Sequence, residues 1–202
     1  MAYEYDIFLS YKTGYPFGDW VDVFLELFQP LLEGEFGKDV VLFRDREAIK
    51  GGDTLPPKLQ HALARSKCLV CIWTAQYFRS AWCQRELHVM LKREQMLGYR
   101  TNARPSGLIV PFRLHDGQHF PPFTNQIKQF DCIHFGRLVS RRKTSETYER
   151  FYEEMQEWVK DVAEVLRQAP DWQPAWDNDT SFTDDIGYLL QGPQTIFPGL
   201  NG

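Results

Sequence analysis

Short, fully apolar runs alternate with longer amphipathic ones along this chain, and the alternation by itself predicts a fold. "YDIFLSY" at 5–11 is a compact apolar run ending in polar residues, which reads as a strand. Next comes "DWVDVFLELFQPLLEG", where Trp20, Phe24, Leu27, Phe28 and Leu31 recur at helical spacing and Gly34 stands beyond the expected end. Pro30 is expected to kink or shorten that helix, because proline lacks the N–H and its ring crowds the preceding turn. "DVVLF" at 39–43 reads as a second strand, and "TLPPKLQHALARS" as a helix with Thr54 placed as its cap and prolines in its first turn. "CLVCIW" at 68–73 is a third strand, followed by a helix from Ser80 to about Leu97 that closes near Gly98. "GLIVPFRL" at 107–114 and "FDCIHF" at 130–135 supply a fourth and a weaker fifth strand. From about 145 to 168, Tyr148, Phe151, Tyr152, Met155, Trp158, Val159, Val162, Val165 and Leu166 form one stripe, the signature of a long helix with a core face.

Strands that are apolar throughout are covered on both faces, and strand–helix alternation joins them in parallel. The expected fold class is therefore α/β: a flavodoxin-like five-stranded parallel sheet of order 2-1-3-4-5, with helices on both faces. Residues 1–170 make one domain. Residues 171–202 change character, being acidic and rich in Pro and Gly, yet they hold Trp172, Trp176, Tyr188, Leu189 and Phe197. A pure linker carries fewer large apolar groups, so this extension is expected to dock on the domain or on a partner.

Composition narrows the functional classes. An apolar fraction of 43% and an aromatic fraction of 15% fit a chain with a substantial core, and no apolar run approaches the roughly 20 residues of a membrane span. The N-terminus has an acid where a signal peptide needs basic residues, so a cytoplasmic protein is expected. The net charge of −4 is concentrated in the extension, whose five aspartates face no Lys or Arg after Arg167. The rest is near neutral and offers no basic bias toward nucleic acid. Cys68 and Cys71 form a C-x-x-C, but on a strand positions three apart point to opposite faces, and no second pair completes a metal site. Core cysteines are expected, and no metal.

In an open parallel sheet, ligands sit outside the carboxyl ends of the strands. The first strand delivers Ser10, Tyr11 and Lys12 there; the second delivers Phe43, Arg44 and Asp45; the third leads to Tyr77, Phe78 and the helix that opens with "SAWCQREL". On that helix Cys83, Leu87, Met90 and Leu91 mark the buried stripe, with Glu86 at its border and Trp82 one turn before it. A border carboxylate is partly desolvated while still open to a ligand.

"YDIFLSYK", "FRDREAIKGGDTL" and "SAWCQREL", in that order, resemble the successive signature boxes of the Toll/interleukin-1 receptor (TIR) domain family, over about residues 3 to 165. The last box resembles the S-x-W-C-x-x-E-L pattern of plant and bacterial members. The resemblance implies one of two functions. Many such members cleave the nicotinamide–ribose bond of NAD+, releasing nicotinamide and ADP-ribose or a cyclic ADP-ribose isomer, with the glutamate of that box, here Glu86, as the essential acid. Others are non-catalytic adaptors, or effectors that mimic them, acting through TIR–TIR contacts. On the enzymatic reading NAD+ is the substrate, no cofactor is needed, and the setting is bacterial antiviral defence with a separate sensor or effector protein. The resemblance further implies a pocket lined by Ser10 and Lys12, with Phe43, Tyr77, Phe78 and Trp82 as ring contacts. Arg44 and Asp45 open the loop that gates it. Two departures stand out: Lys50 precedes the loop glycines where many members have proline, and the last helix lacks the Phe-Trp pair of animal receptors.

Overall fold

The computed structural model describes residues 2–14, 17–44, 57–136, 146–179, 181, 184, 186 and 187. Its strands are β1 (Tyr5–Ser10), β2 (Leu42–Phe43), β3 (Ser66–Trp73), β4 (Ile109–Arg113) and β5 (Phe130–Asp131), and all pair in parallel in the order β2-β1-β3-β4-β5. The helices are α1 (Phe17–Phe36), α2 (Pro57–Ala64), α3 (Ala81–Met96) and α4 (Glu146–Arg167). Apolar strand composition thus leads to the doubly covered sheet. Because side chains alternate along a strand, Phe8 and Ser10 of β1 share a face with Leu69 and Cys71, their register partners on β3.

One face is covered by α1 and α4, which meet the sheet through rings. Phe24 and Phe28 lie edge-on to Phe112 of β4 at 4.8 and 5.8 Å, and Trp158 and Phe130 join from α4 and β5. Trp20 sends its indole N–H to the Phe135 carbonyl at 2.8 Å, so even this buried ring satisfies its polar atom.

Several boundaries differ from the pattern reading. α1 runs through Pro30 and ends only after Phe36, where Gly37 adopts φ +79°; Gly34 lies inside the helix. Its long apolar stripe, packed on the sheet and α4, outweighs the local cost of the proline. β2 and β5 shrink to two residues each at the sheet's edges. On α4, Tyr152 is exposed, while Phe151, Met155, Val159, Val162, Ala163 and Leu166 make the buried stripe. The four cysteines are buried free thiols. Cys68 and Cys71 diverge, one thiol donating to the Asp6 carbonyl of β1 and the other to the Val110 carbonyl of β4. Thr54 and Lys50 lie outside the described residues.

α3 departs most from a surface helix. Gln84, Glu86, His88, Arg93 and Glu94 are buried as well as its apolar residues. Gln84 turns to the Phe78 carbonyl, Glu86 to Ser10 and Glu94 to Arg100, whereas His88 and Arg93 are covered by the chain after α4, which crosses the outside of α2 and α3 as a strap. Trp172 donates its indole N–H to the Ala64 carbonyl and lies under the Arg65 guanidinium at 4.1 Å. Asp177 pairs with Arg65 through two hydrogen bonds, one of 2.8 Å. Trp176, itself buried, covers the Arg93 guanidinium at 4.3 Å, and Asp184 then meets Lys92 at 2.5 Å and His88 at 3.2 Å. Among the described residues, no helix is long and apolar enough to cross a membrane.

Candidate functional site

At the carboxyl end of β1 the chain turns polar, and this is where the sheet opens. Ser10 ends the strand on the face turned toward α3, and Tyr11, Lys12 and Thr13 follow it onto the rim. α3 starts at the same level. Ser80 caps it, its hydroxyl accepting from the Cys83 N–H at 3.5 Å, as a serine at this position does for an otherwise orphan donor. The first turns of α3 therefore stand beside the end of β1. Between them lies a cleft of about 60 Å³, room for a few waters, lined chiefly by Ser10, Lys12, Trp82, Cys83 and Glu86, with Leu59 of α2 closing one side.

Glu86 is only 6% exposed, yet it lines this cleft. Its Oε2 lies 2.5 Å from Ser10 Oγ, the spacing of a hydroxyl donating to a carboxylate. Ser10 Oγ is also 3.0 Å from the hydroxyl of Tyr77, which is fully buried beneath the site. Burial, reinforced by the Cys71 and Cys83 thiols and by Glu86, pushes the Tyr77 hydroxyl well above its ordinary pKa, so it stays protonated. Burial likewise pushes the Cys83 thiol up, with Glu86 adding to the effect. Cys83 is thus no nucleophile here; it packs. Lys12 is exposed at the mouth, and Trp82 is half-buried along one wall.

The structure brings Ser10, Lys12, Trp82 and Glu86 together around one cleft. It places Phe43, Phe78 and Arg44 elsewhere. Phe43 is stacked on Phe8 at 5.1 Å and edge-on to Tyr5 at 5.2 Å, in the core. Phe78 is buried among Trp73, Phe120 and Phe123. Arg44 spans from β2 to α1, donating to Asp22 at 2.6 Å and to the Tyr11 hydroxyl at 2.9 Å, and so props Tyr11 from behind. Tyr77 touches the site through its hydroxyl rather than its ring face. Asp45 lies outside the described residues. Cys83, Thr13 and Leu59 line the cleft without having been singled out as site residues. The position of Cys83 four residues before Leu87 on the buried stripe, next to Trp82, was the available signal.

Comparison with known proteins gives the geometry a family. A family model described as "TIR domain" matches residues 7–151. Two relatives, both disease resistance protein RPS6 of Arabidopsis thaliana, are 25% identical over 162 residues, which is 80% of this chain and 12% of theirs. The chain therefore spans only about an eighth of the length of these relatives. Among solved structures, the TIR domains of the activated Roq1 resistosome directly recognizing the pathogen effector XopQ match at 20% identity and a TM-score of 0.41, over 80% of this chain and 84% of theirs. With the matched region running from the first strand into the last helix, and the glutamate box standing on the cleft, this chain belongs to the TIR-domain family.

Proposed function

We propose that this protein cleaves the nicotinamide–ribose bond of NAD+, with Glu86 as the catalytic carboxylate. The observation that carries the reading is a nearly buried glutamate held at the floor of a cleft whose wall is an indole and whose mouth is a lysine. The chemistry suits that set. Nicotinamide in NAD+ is already a pyridinium, so it departs as a neutral molecule and needs no acid to protonate it. The ribose left behind passes through an oxocarbenium-like state, and an adjacent carboxylate in a desolvated setting stabilises that positive charge and orients the incoming nucleophile. The Trp82 face offers stacking for the planar ring, and Lys12 at the mouth suits the pyrophosphate. The cleft itself has room for only a few waters, so on this reading the dinucleotide lies across the open rim and reaches Glu86 from there. Which nucleophile captures the ribose, water or a group of the substrate itself, decides between ADP-ribose and a cyclic isomer. By its likeness to disease resistance proteins, the activity would serve immune defence.

A second reading is an interaction module that works by TIR–TIR contact. The open groove of about 400 Å³ between α1 and α4, bordered by Leu31, Glu35, Gln156 and Lys160, favours it. One experiment separates the two. NAD+ turnover is followed by chromatography with mass detection for wild type and Glu86→Ala, across a range of protein concentrations. Nicotinamide release in wild type that falls at least a thousandfold in Glu86→Ala supports the enzyme. Concentration-dependent assembly without turnover in either protein supports the module.

A further inference from the structure

We infer that Tyr77 and Ser10 are positioning residues, a hydrogen-bond relay running from the Tyr77 hydroxyl through the Ser10 hydroxyl to one oxygen of Glu86. Its catalytic consequence rests on the NAD-cleaving reading; its geometry does not.

The direction of the relay follows from counting protons. A serine hydroxyl has one proton and two lone pairs. When Glu86 is ionised, that proton, 2.5 Å from Oε2, is committed to the carboxylate, because an ionised carboxylate oxygen can only accept. The contact of 3.0 Å between Ser10 Oγ and the Tyr77 hydroxyl must then be donated by the tyrosine. Tyr77 is suited to this, since burial keeps its proton on and no water competes for it. Neither donor is free to swing. Ser10 sits in β1 in register with Cys71 of β3. Tyr77 has its backbone N–H donated to Thr74 Oγ1 at 3.0 Å and its ring edge-on to Phe78 at 5.2 Å.

The purpose is to keep a buried carboxylate charged and still. Burial alone favours the protonated form of Glu86, whereas a hydrogen bond donated to the charged form favours ionisation. Among the described residues, the other groups around the carboxylate include Lys12 beyond the end of β1, exposed and cationic, and Cys83 on α3, a neutral thiol; α2 brings the apolar Leu59. A donor that is itself polarised by a second donor is the stronger one, which is what Tyr77 adds to Ser10. The relay also selects one rotamer of a flexible side chain, so the carboxylate meets the ribose without first being ordered.

The test uses Tyr77→Phe, which removes one oxygen from an otherwise intact core, alongside Ser10→Ala. Turnover of NAD+ is measured against pH, and the Glu86 carboxyl is titrated by carbon-13 NMR in wild type and both variants, with melting temperatures as the check on folding. We expect kcat to fall about tenfold in Ser10→Ala and about threefold in Tyr77→Phe, with KM nearly unchanged. Ionised Glu86 is the active form and loss of a donor raises its pKa. The acid limb and the carboxyl titration should therefore both move up, by about one pH unit in Ser10→Ala and about half a unit in Tyr77→Phe. If wild type releases no nicotinamide, the NAD-cleaving reading falls, and the carboxyl titration still decides the relay. A Glu86 midpoint that stays put in a folded Tyr77→Phe and Ser10→Ala overturns it, whatever the turnover.

Discussion

A methyl group added at position 107 would probe how tightly the far end of α3 is built. Glu94 is fully buried there, and it is satisfied from every side. Arg100 donates to it through Nε at 2.6 Å and Nη2 at 3.0 Å, and the backbone N–H groups of Leu108 and Ile109 complete the set. Arg100 pays for this reach with a positive φ of 54°, unusual for a residue other than glycine. A Cβ on Gly107 would overlap the Arg100 guanidinium and stand 2.5 Å from Glu94 Oε1. Gly107→Ala should therefore lower stability by about 2–3 kcal/mol in a urea titration, by pushing a buried ion pair out of its geometry. An unchanged midpoint would show that the pair can shift freely. At this scale the sequence was informative about identity and poor about environment. Glu86, Trp82, Ser10 and Lys12 could be assigned to one rim from strand ends alone. That Ser10 bonds Glu86 across 76 residues could not, because periodicity reports a face and never a partner. Phe43 and Phe78 show the same limit: a ring at a strand end packs inward or lines a cleft with the same local pattern.

Elements were legible where their period was long and uninterrupted. α4 and α3 are found nearly to the residue, and the sheet order follows from strand–helix alternation. The misjudged element is α1, where a local rule met a tertiary one. Pro30 lacks the N–H that the helix interior uses, yet α1 continues for six residues beyond it. Pro30 is exposed, so replacing it removes no packing. We expect Pro30→Ala to stabilise the fold by about 1–3 kcal/mol, seen as a higher urea midpoint with the same slope. A decrease would mean that the proline sets the curvature on which the contact between α1 and α4 depends. The enclosure of α3 was hidden for a different reason. Its outer face is closed by residues some 80 positions later, and only the tryptophans of the acidic extension hinted at that.

The strap joins α2, α3 and the segment after α4 into one body, and its attachments are of two kinds. The apolar kind is Trp176 on Arg93, whose guanidinium also donates to the carbonyls of Ser66, Leu63 and Ala64. Burial pushes the Arg93 pKa down to about 10, against the pull of Tyr3 and Asp179, so it remains charged at neutral pH under an indole cover. Trp176→Ala should cost about 3 kcal/mol and lower the melting temperature by several degrees. A silent substitution would mean the indole contributes little. The ionic kind titrates. Hydrogen bonds from Arg65 hold the Asp177 carboxyl below its usual range, and Lys92 followed by His88 does the same for Asp184. A carboxylate whose pKa is depressed on folding stabilises above its unfolded pKa of about 4 and loses that contribution as pH falls through the depressed value. Hydrogen exchange, corrected for intrinsic rate, should show residues 171–179 protected at pH 6 and markedly less so near pH 3. Equal protection at both would assign the attachment to the tryptophans alone.

The Arg93–Trp176 contact also sets an order of events during synthesis. A ribosome adding about 5–20 residues per second needs roughly 4–17 s to travel from the arginine to its indole. Throughout that interval β4, β5 and α4 are themselves still being made, and α3's guanidinium stays without its indole cover until the strap has followed them. Any chaperone or partner that reads a nascent TIR domain of this kind would find its open surface there.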